Sequence, residues 1–308
     1  MIGAFQGFFV VAVIVGVGFA IGRTRLLSPK AESDLSRLVL WVLLPCLVVT
    51  MLIDARLSDI FSPLMAASLI ASVLIIGLHA LAARVLWHRQ GTEATIGALA
   101  AGLPNVGNIG IPVSAYVLGS ATFAVPVILV QSGLIMPAAL VLLDVLTKAP
   151  GASAGRTLLK AVLNPVVVAS VVGVLILVFG VTVPSFVVEP FRLIGAAAVP
   201  IVLIAFGISL SGQRPLAPGS ERGDVILATV LKLVVMPVVA WVIGRFLFGM
   251  SGLDLLAVTL LAALPTAQNV VVIARRYGRG ETIARDTALI TTIGVIPILL
   301  VVTWILAP

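Results

Sequence analysis

The chain has 308 residues, 61% of them hydrophobic and 10% charged, with a mean hydropathy of +1.26. Soluble domains carry about 25% charged and about 45–50% apolar residues, so a soluble enzyme and a disordered chain are both excluded. The formal charge of +7 comes without any basic run interleaved with aromatics, which excludes a nucleic-acid partner, and the single cysteine, Cys46, cannot close an intrachain disulfide. What remains is an all-α, multi-pass membrane protein in the lipid bilayer.

A spanning helix needs roughly 20 apolar residues, and charged or turn-forming residues cut the chain into ten such segments. They fall at about 3–22, 34–53, 61–87, 93–118, 123–147, 158–180, 187–211, 224–249, 254–277 and 282–306. The first has no positive n-region and exceeds a typical signal-peptide core, so it reads as a span rather than a cleaved leader. The second carries Leu44-Pro45 in mid-span. The third carries His79, read as a hydrogen-bonded packing residue rather than a proton carrier. The fourth contains Gly102-Leu103-Pro104-Asn105, followed by Gly107, Asn108, Gly110 and Pro112. The fifth has Gln131 and Ser132 in mid-span, then Met136-Pro137. The longest connection follows, around Lys148 to Arg156. Asn164-Pro165 shapes the entry of the sixth span, and Val199-Pro200 lies within the seventh. The eighth holds Lys232. The ninth holds Leu264-Pro265-Thr266 with Gln268 and Asn269, and the tenth holds Ile296-Pro297. No segment is left over for a soluble domain.

Basic residues fix the expected orientation. Arg23, Arg25, Lys30, Arg37, Arg84, Arg89, Lys148, Arg156, Lys160, Arg214, Arg222, Arg275, Arg276, Arg279 and Arg285 lie near the ends of odd-numbered spans, which is 15 of the 19. Arg56, Arg192 and Arg245 lie on the other side, and Lys232 is inside a span. The bias puts both termini outside the cytoplasm of an inner, or cell, membrane.

The two halves echo each other. Pro45 and Pro200 lie 155 residues apart, Pro104 and Pro265 lie 161 apart, and Pro137 and Pro297 lie 160 apart. Span n therefore matches span n+5, and because five is odd the second copy inserts upside down. Such inverted repeats are a known plan of secondary transporters. The expected repeats are residues 1–149 and 150–308.

The fourth and ninth spans cannot be regular helices. Proline lacks an N–H and its ring clashes with the preceding turn, and it drives the residue before it out of the helical region. Lipid offers no hydrogen bonds, so unwound backbone at mid-membrane survives only where it lines a protein cavity. Pro104, Gly107, Gly110, Pro112 and Pro265 are the expected hinge residues. Each break starts a new half-helix with its positive N-terminal end near the bilayer centre, a natural anion site. Asn105, Asn108, Gln131, Thr266, Gln268 and Asn269 supply neutral donors and acceptors there. Lys232 either holds an anion's charge or snorkels to the interface.

None of the twelve acidic residues falls at a midplane. That weighs against a proton pump or cation channel built on buried carboxylates, and against an intramembrane enzyme, which needs paired acids. No cofactor or metal site is expected, while sodium or proton coupling and homodimer formation stay open.

The stretch Leu103-Pro104-Asn105-Val106-Gly107-Asn108-Ile109-Gly110-Ile111-Pro112 resembles the fourth-helix motif of the auxin efflux carrier family. Ala263-Leu264-Pro265 with Tyr277-Gly278, Asn164-Pro165, and Gln131 followed by Asp144 are similar to that family's ninth, sixth and fifth helices. The resemblance implies ten helices in an inverted five-plus-five repeat, with the fourth and ninth crossing at their prolines, a fold shared with bile-acid symporters. By this likeness Pro104, Asn105 and Pro265 form the crossover and Asn105 is a substrate ligand. It implies spans 1, 2, 6 and 7 as a scaffold for elevator-type movement. The long cytoplasmic insert of many plant members is absent, so the chain is similar to bacterial short forms associated with malonate and related acids. The expected function is a secondary carrier of a small organic anion. A sodium-coupled symporter and a non-transporting sensor are the rivals.

Overall fold

The computed structural model describes residues 2–24, 26–28, 30–54, 62–89, 91–147, 159, 163–211 and 221–306. Every regular element among them is helical: α1 (Ile2–Thr24), α2 (Ala31–Ile53), α3 (Pro63–Trp87), α4 (Gly91–Gly102), α5 (Val106–Val117), α6 (Ala121–Thr147), α7 (Pro165–Val178), α8 (Ser185–Ser209), α9 (Arg222–Leu247), α10 (Gly252–Ala263), α11 (Gln268–Tyr277) and α12 (Glu281–Leu306). Six of these, α2, α3, α6, α8, α9 and α12, are long and apolar enough to cross a bilayer, and shorter apolar helices accompany them. Large apolar side chains such as Phe186, Leu193, Phe246 and Trp304 are exposed on the outer surface, as a lipid-facing wall requires.

The boundaries follow local chemistry. Ser62 precedes Pro63 at the start of α3, and Asn164 precedes Pro165 at the start of α7. Proline at the first helical position gives up an N–H that has no partner there anyway. The Asn164 side chain accepts a 3.0 Å bond from the Val166 N–H, so this residue does shape the helix entry. Gly278 closes α11 with a left-handed φ of 61°. The predicted first turns of the sixth span and the 148–156 connection lie outside the described residues.

Four of the other prolines sit where helices widen instead of breaking. Wide π-turns at Val39–Leu43, Val106–Gly110, Gln131–Ile135 and Leu231–Val235 each stand two residues before a proline, at Pro45, Pro112, Pro137 and Pro237. A π-turn relieves the clash that the proline ring would make with the preceding turn. Pro112 is thus inside α5, and Gly107 and Gly110 lie in the π-turn just after the break rather than in unwound backbone.

The helices pack in two groups. α1, α2, α7 and α8 lie largely against one another, α3, α4, α6, α9, α10, α11 and α12 form a second group, and α5 touches both, packing on α1 and α8 and beside α6. The α1–α8 contact is backbone-close. A Cβ on Gly207 would run into the Val15 carbonyl, and one on Gly18 into the Ile204 carbonyl. Small residues permit this approach between membrane helices.

Candidate substrate site at the crossover

The two breaks meet. Between α4 and α5 the chain is extended at Leu103–Asn105, and between α10 and α11 it is extended at Leu264–Ala267. Pro104 and Thr266 pair as an isolated antiparallel bridge. The Asn105 N–H donates to the Pro265 carbonyl at 2.8 Å, and the Ala267 N–H donates to the Leu103 carbonyl at 2.9 Å. Each strand thus satisfies backbone groups that the other break exposes, which is how non-helical backbone survives at this depth.

Side chains complete the accounting. Pro104 cannot donate to the Ala100 carbonyl four residues before it, and the Thr266 hydroxyl does so instead at 2.7 Å. The Thr266 N–H donates to the Thr291 hydroxyl at 3.0 Å. Gln131 Nε2 donates to the Pro104 carbonyl at 2.8 Å, and Asn108 Nδ2 donates to Gln268 Oε1 at 3.0 Å. Asn105 caps α5, its Oδ1 accepting from the Asn108 N–H at 3.4 Å, while its Nδ2 is buried without a partner among the described residues.

A cavity of about 190 Å³ lies beside this knot. Leu103, Gln131, Ser132, Asn164, Ala267, Asn269 and Arg276 line it, with Met136, Leu140 and Val167 as its apolar wall. A second cavity, about 260 Å³, lies on the other side of α11 and takes in Gln268, Arg275 and Arg285. Successive arginines at the end of α11 therefore serve opposite faces: Arg276 the first cavity, Arg275 the second.

The sequence candidates divide accordingly. Gln131 and Asn269 line the first cavity, and Gln268 lines the second while bonded to Asn108. Thr266 is fully enclosed and spends its hydroxyl on backbone. Lys232 lines neither cavity; it is enclosed, with Nζ 2.8 Å from the Ala262 carbonyl. It does not snorkel. His79 packs beside Gly97, and among the described residues its ring nitrogens have no side-chain hydrogen-bond partner. Asp144 accepts a 2.6 Å bond from the Tyr277 hydroxyl and ties α6 to α11. Near the ends of α3 and α9, Arg89 donates to Asp224 at 2.7 and 2.9 Å, and this carboxylate holds its guanidinium above the ordinary value.

Two residues escaped sequence reasoning. Arg276 read only as a charge that sets topology. Thr291 carried a usable signal, since it stands 160 residues after Gln131, the spacing of Pro137 and Pro297. Gln131 and Thr291 each bond the backbone of one break.

A family model described as membrane transport protein matches residues 4–154 and 148–303. The chain belongs to this family, that of the auxin efflux carriers. It is 26% identical to the uncharacterized transporter YfdV of Escherichia coli K12 over 276 residues, 87% of this chain and 86% of that one. It is 28% identical to an uncharacterized transporter of Methanothermobacter thermautotrophicus, covering 86% and 85%. A putative malonate transporter of Rhizobium meliloti is 29% identical over 217 residues, 68% of this chain and 66% of that protein. The protein is a membrane transporter and not an enzyme, and no group of three or more metal-ligating side chains occurs among the described residues.

Proposed function

We propose that this transporter carries a small organic anion, a mono- or dicarboxylate, bound in the cavity beside the crossover. The observation that carries this reading is the cavity's makeup: neutral amides from Gln131, Asn164 and Asn269, the start of α11, and one cation, Arg276. A carboxylate is an acceptor-only group that suits amide N–H donors, a helix N-terminus and a guanidinium. Asn105 lines neither cavity, but its Nδ2, buried next to the break without a partner among the described residues, is a donor that a ligand oxygen reaching the break would satisfy. The cavity suits a few-carbon acid better than a fused-ring one. The name of the Rhizobium relative fits this size class.

The wider plan is read the same way. The matched prolines, the reciprocal bridge and the Gln131–Thr291 pair support an inverted five-plus-five repeat, split near residues 149 and 150, with ten spans. The packing of α1, α2, α7 and α8 on one another supports a scaffold, against which the crossover half moves as an elevator. The distribution of basic residues supports an inner-membrane orientation with both termini outside. Leaving a negative-inside cell, one anionic charge gains about 2.3 kcal/mol per 100 mV, so export or exchange needs no further coupling.

The test is counterflow in proteoliposomes. Vesicles preloaded with unlabelled malonate, succinate or acetate should take up the labelled acid with saturation, and the flux should be competed by the other short acids. Saturable binding without flux, or flux of neutral solutes only, would refute the proposal.

A further inference from the structure

Tyr277-Gly278 and Asp144 stand out in the sequence, yet none of them lines the cavity. Arg276 is the one charged residue among those that do. It is exposed, in the last turn of α11, and no carboxylate lies within ion-pair distance of it among the described residues. A long cationic side chain so placed is free to snorkel to the aqueous interface. A guanidinium at the cavity therefore needs something to hold it there.

The Tyr277 ring is placed to do this. Arg276 Cζ lies over it, 5.4 Å from the ring centroid, inside the distance of about 6 Å at which the negative face of an aromatic ring attracts a guanidinium. Consecutive residues of a helix do not face each other, so the contact is not a by-product of adjacency: the arginine stem bends back to make it. The ring is itself fixed. Its body packs against the buried cluster that Leu99, Leu143, Val270 and Ala284 share, and its hydroxyl donates to Asp144 Oδ1 at 2.6 Å. The same hydroxyl lies 3.4 Å from the carbonyl of Leu140, whose residue is part of the cavity's apolar wall. Bonds to a carboxylate are among the stronger hydrogen bonds, and Asp144 is buried. One side chain thus carries two tasks: the hydroxyl ties α11 to α6, and the ring face carries Arg276.

We propose that Tyr277 is a positioning residue for substrate binding: its ring is the shelf that keeps the Arg276 guanidinium at the cavity, and Asp144 fixes the shelf. Tyr277 acts on a bound carboxylate only through Arg276 and does not touch it. The inference rests on the carboxylate reading of the cavity and adds to it the residue that sets the strength of its one charged contact.

The experiment is calorimetric titration of the purified protein in detergent with malonate, succinate and acetate, with thermal unfolding alongside. Tyr277→Leu removes the shelf and should bind about two- to fivefold more weakly, the worth of a cation–π contact at an exposed site. Tyr277→Phe keeps the ring and loses the tie to Asp144, so it should unfold at lower temperature yet bind within about twofold of wild type. Combined with Arg276→Gln, Tyr277→Leu should cost no further affinity. A Tyr277→Phe protein that binds as weakly as Tyr277→Leu, or a Tyr277→Leu loss that is the same with and without Arg276, would overturn the proposal, because a merely structural tie gives those results. Where Tyr277→Leu does not fold, Tyr277→Phe carrying successive ring fluorines decides: the fluorines drain the ring face without changing its shape, so affinity should fall stepwise, and a flat series overturns the shelf. If wild type binds none of the acids, or Arg276→Gln binds them as wild type does, the carboxylate reading falls and this inference with it. If Arg276→Gln weakens binding and Tyr277→Leu does not, only this inference falls.

Discussion

Thr266→Val isolates the bond that joins one break to the other. Valine keeps the shape and leaves the Thr266 N–H on Thr291, so the variant removes one hydroxyl and little else. That hydroxyl is the 2.7 Å donor to the Ala100 carbonyl, whose own chain partner is Pro104. A typical intramolecular hydrogen bond contributes about 0.5–1.5 kcal/mol net, and stranding its buried partner costs about 1–3 kcal/mol. Polar bonds between membrane helices average about 0.6 kcal/mol with a maximum near 1.7, because the reference state finds other partners. Here no replacement is at hand: proline has no N–H and Thr266 is fully enclosed. The loss should therefore sit in the upper part of that range, about 1–2 kcal/mol. Reversible unfolding of wild type and variant in mixed micelles measures it. Thr291→Val, which removes the acceptor of the Thr266 N–H, should cost a comparable amount. A Thr266→Val loss under about 0.5 kcal/mol would show that water or relaxed backbone serves Ala100, and the reciprocal account of the crossover would fail.

Asn105→Ala should abolish counterflow while costing under about 1 kcal/mol in stability, since it removes a long capping bond together with an unpaired donor; retained flux refutes its ligand role. Arg276→Gln should weaken carboxylate binding about tenfold or more, the value of one charge-assisted hydrogen bond, as read by calorimetric titration. Unchanged affinity would remove it from the site. Gly207→Val should destabilise by about 1–3 kcal/mol, because the new side chain meets the Val15 carbonyl. Gly77→Ala in α3, where a Cβ meets nothing, should be neutral or stabilising by about 0.5–1 kcal/mol; equal unfolding of the two variants would refute the close α1–α8 contact.

The hydrophobic runs and the positions of charges made the helices readable, because a span must be apolar over a fixed length. The ends agreed to within about two residues where Ser62-Pro63 or Gly278 marked them. The breaks at Pro104 and Pro265 were legible for the same reason: missing N–H groups and neighbouring amides in lipid demand a cavity. Pro45, Pro137 and Pro237 look no different in sequence, yet their helices continue through π-turns. Whether a proline breaks or widens a helix depends on what is nearby to take the freed carbonyl.

Sequence by itself determined that this chain is a multi-pass membrane protein with two interrupted helices and matching prolines, since those follow from local covalent chemistry and the bilayer's thickness. Tertiary structure decided which polar groups were spent and which were spare. Thr266 and Lys232 looked like ligands, but each meets a carbonyl orphaned by the crossover, and Arg276 looked like a topological charge but borders the cavity. Asn108 and Gln268 stand one repeat offset apart, but that their side chains meet in a hydrogen bond is set by how the two breaks cross.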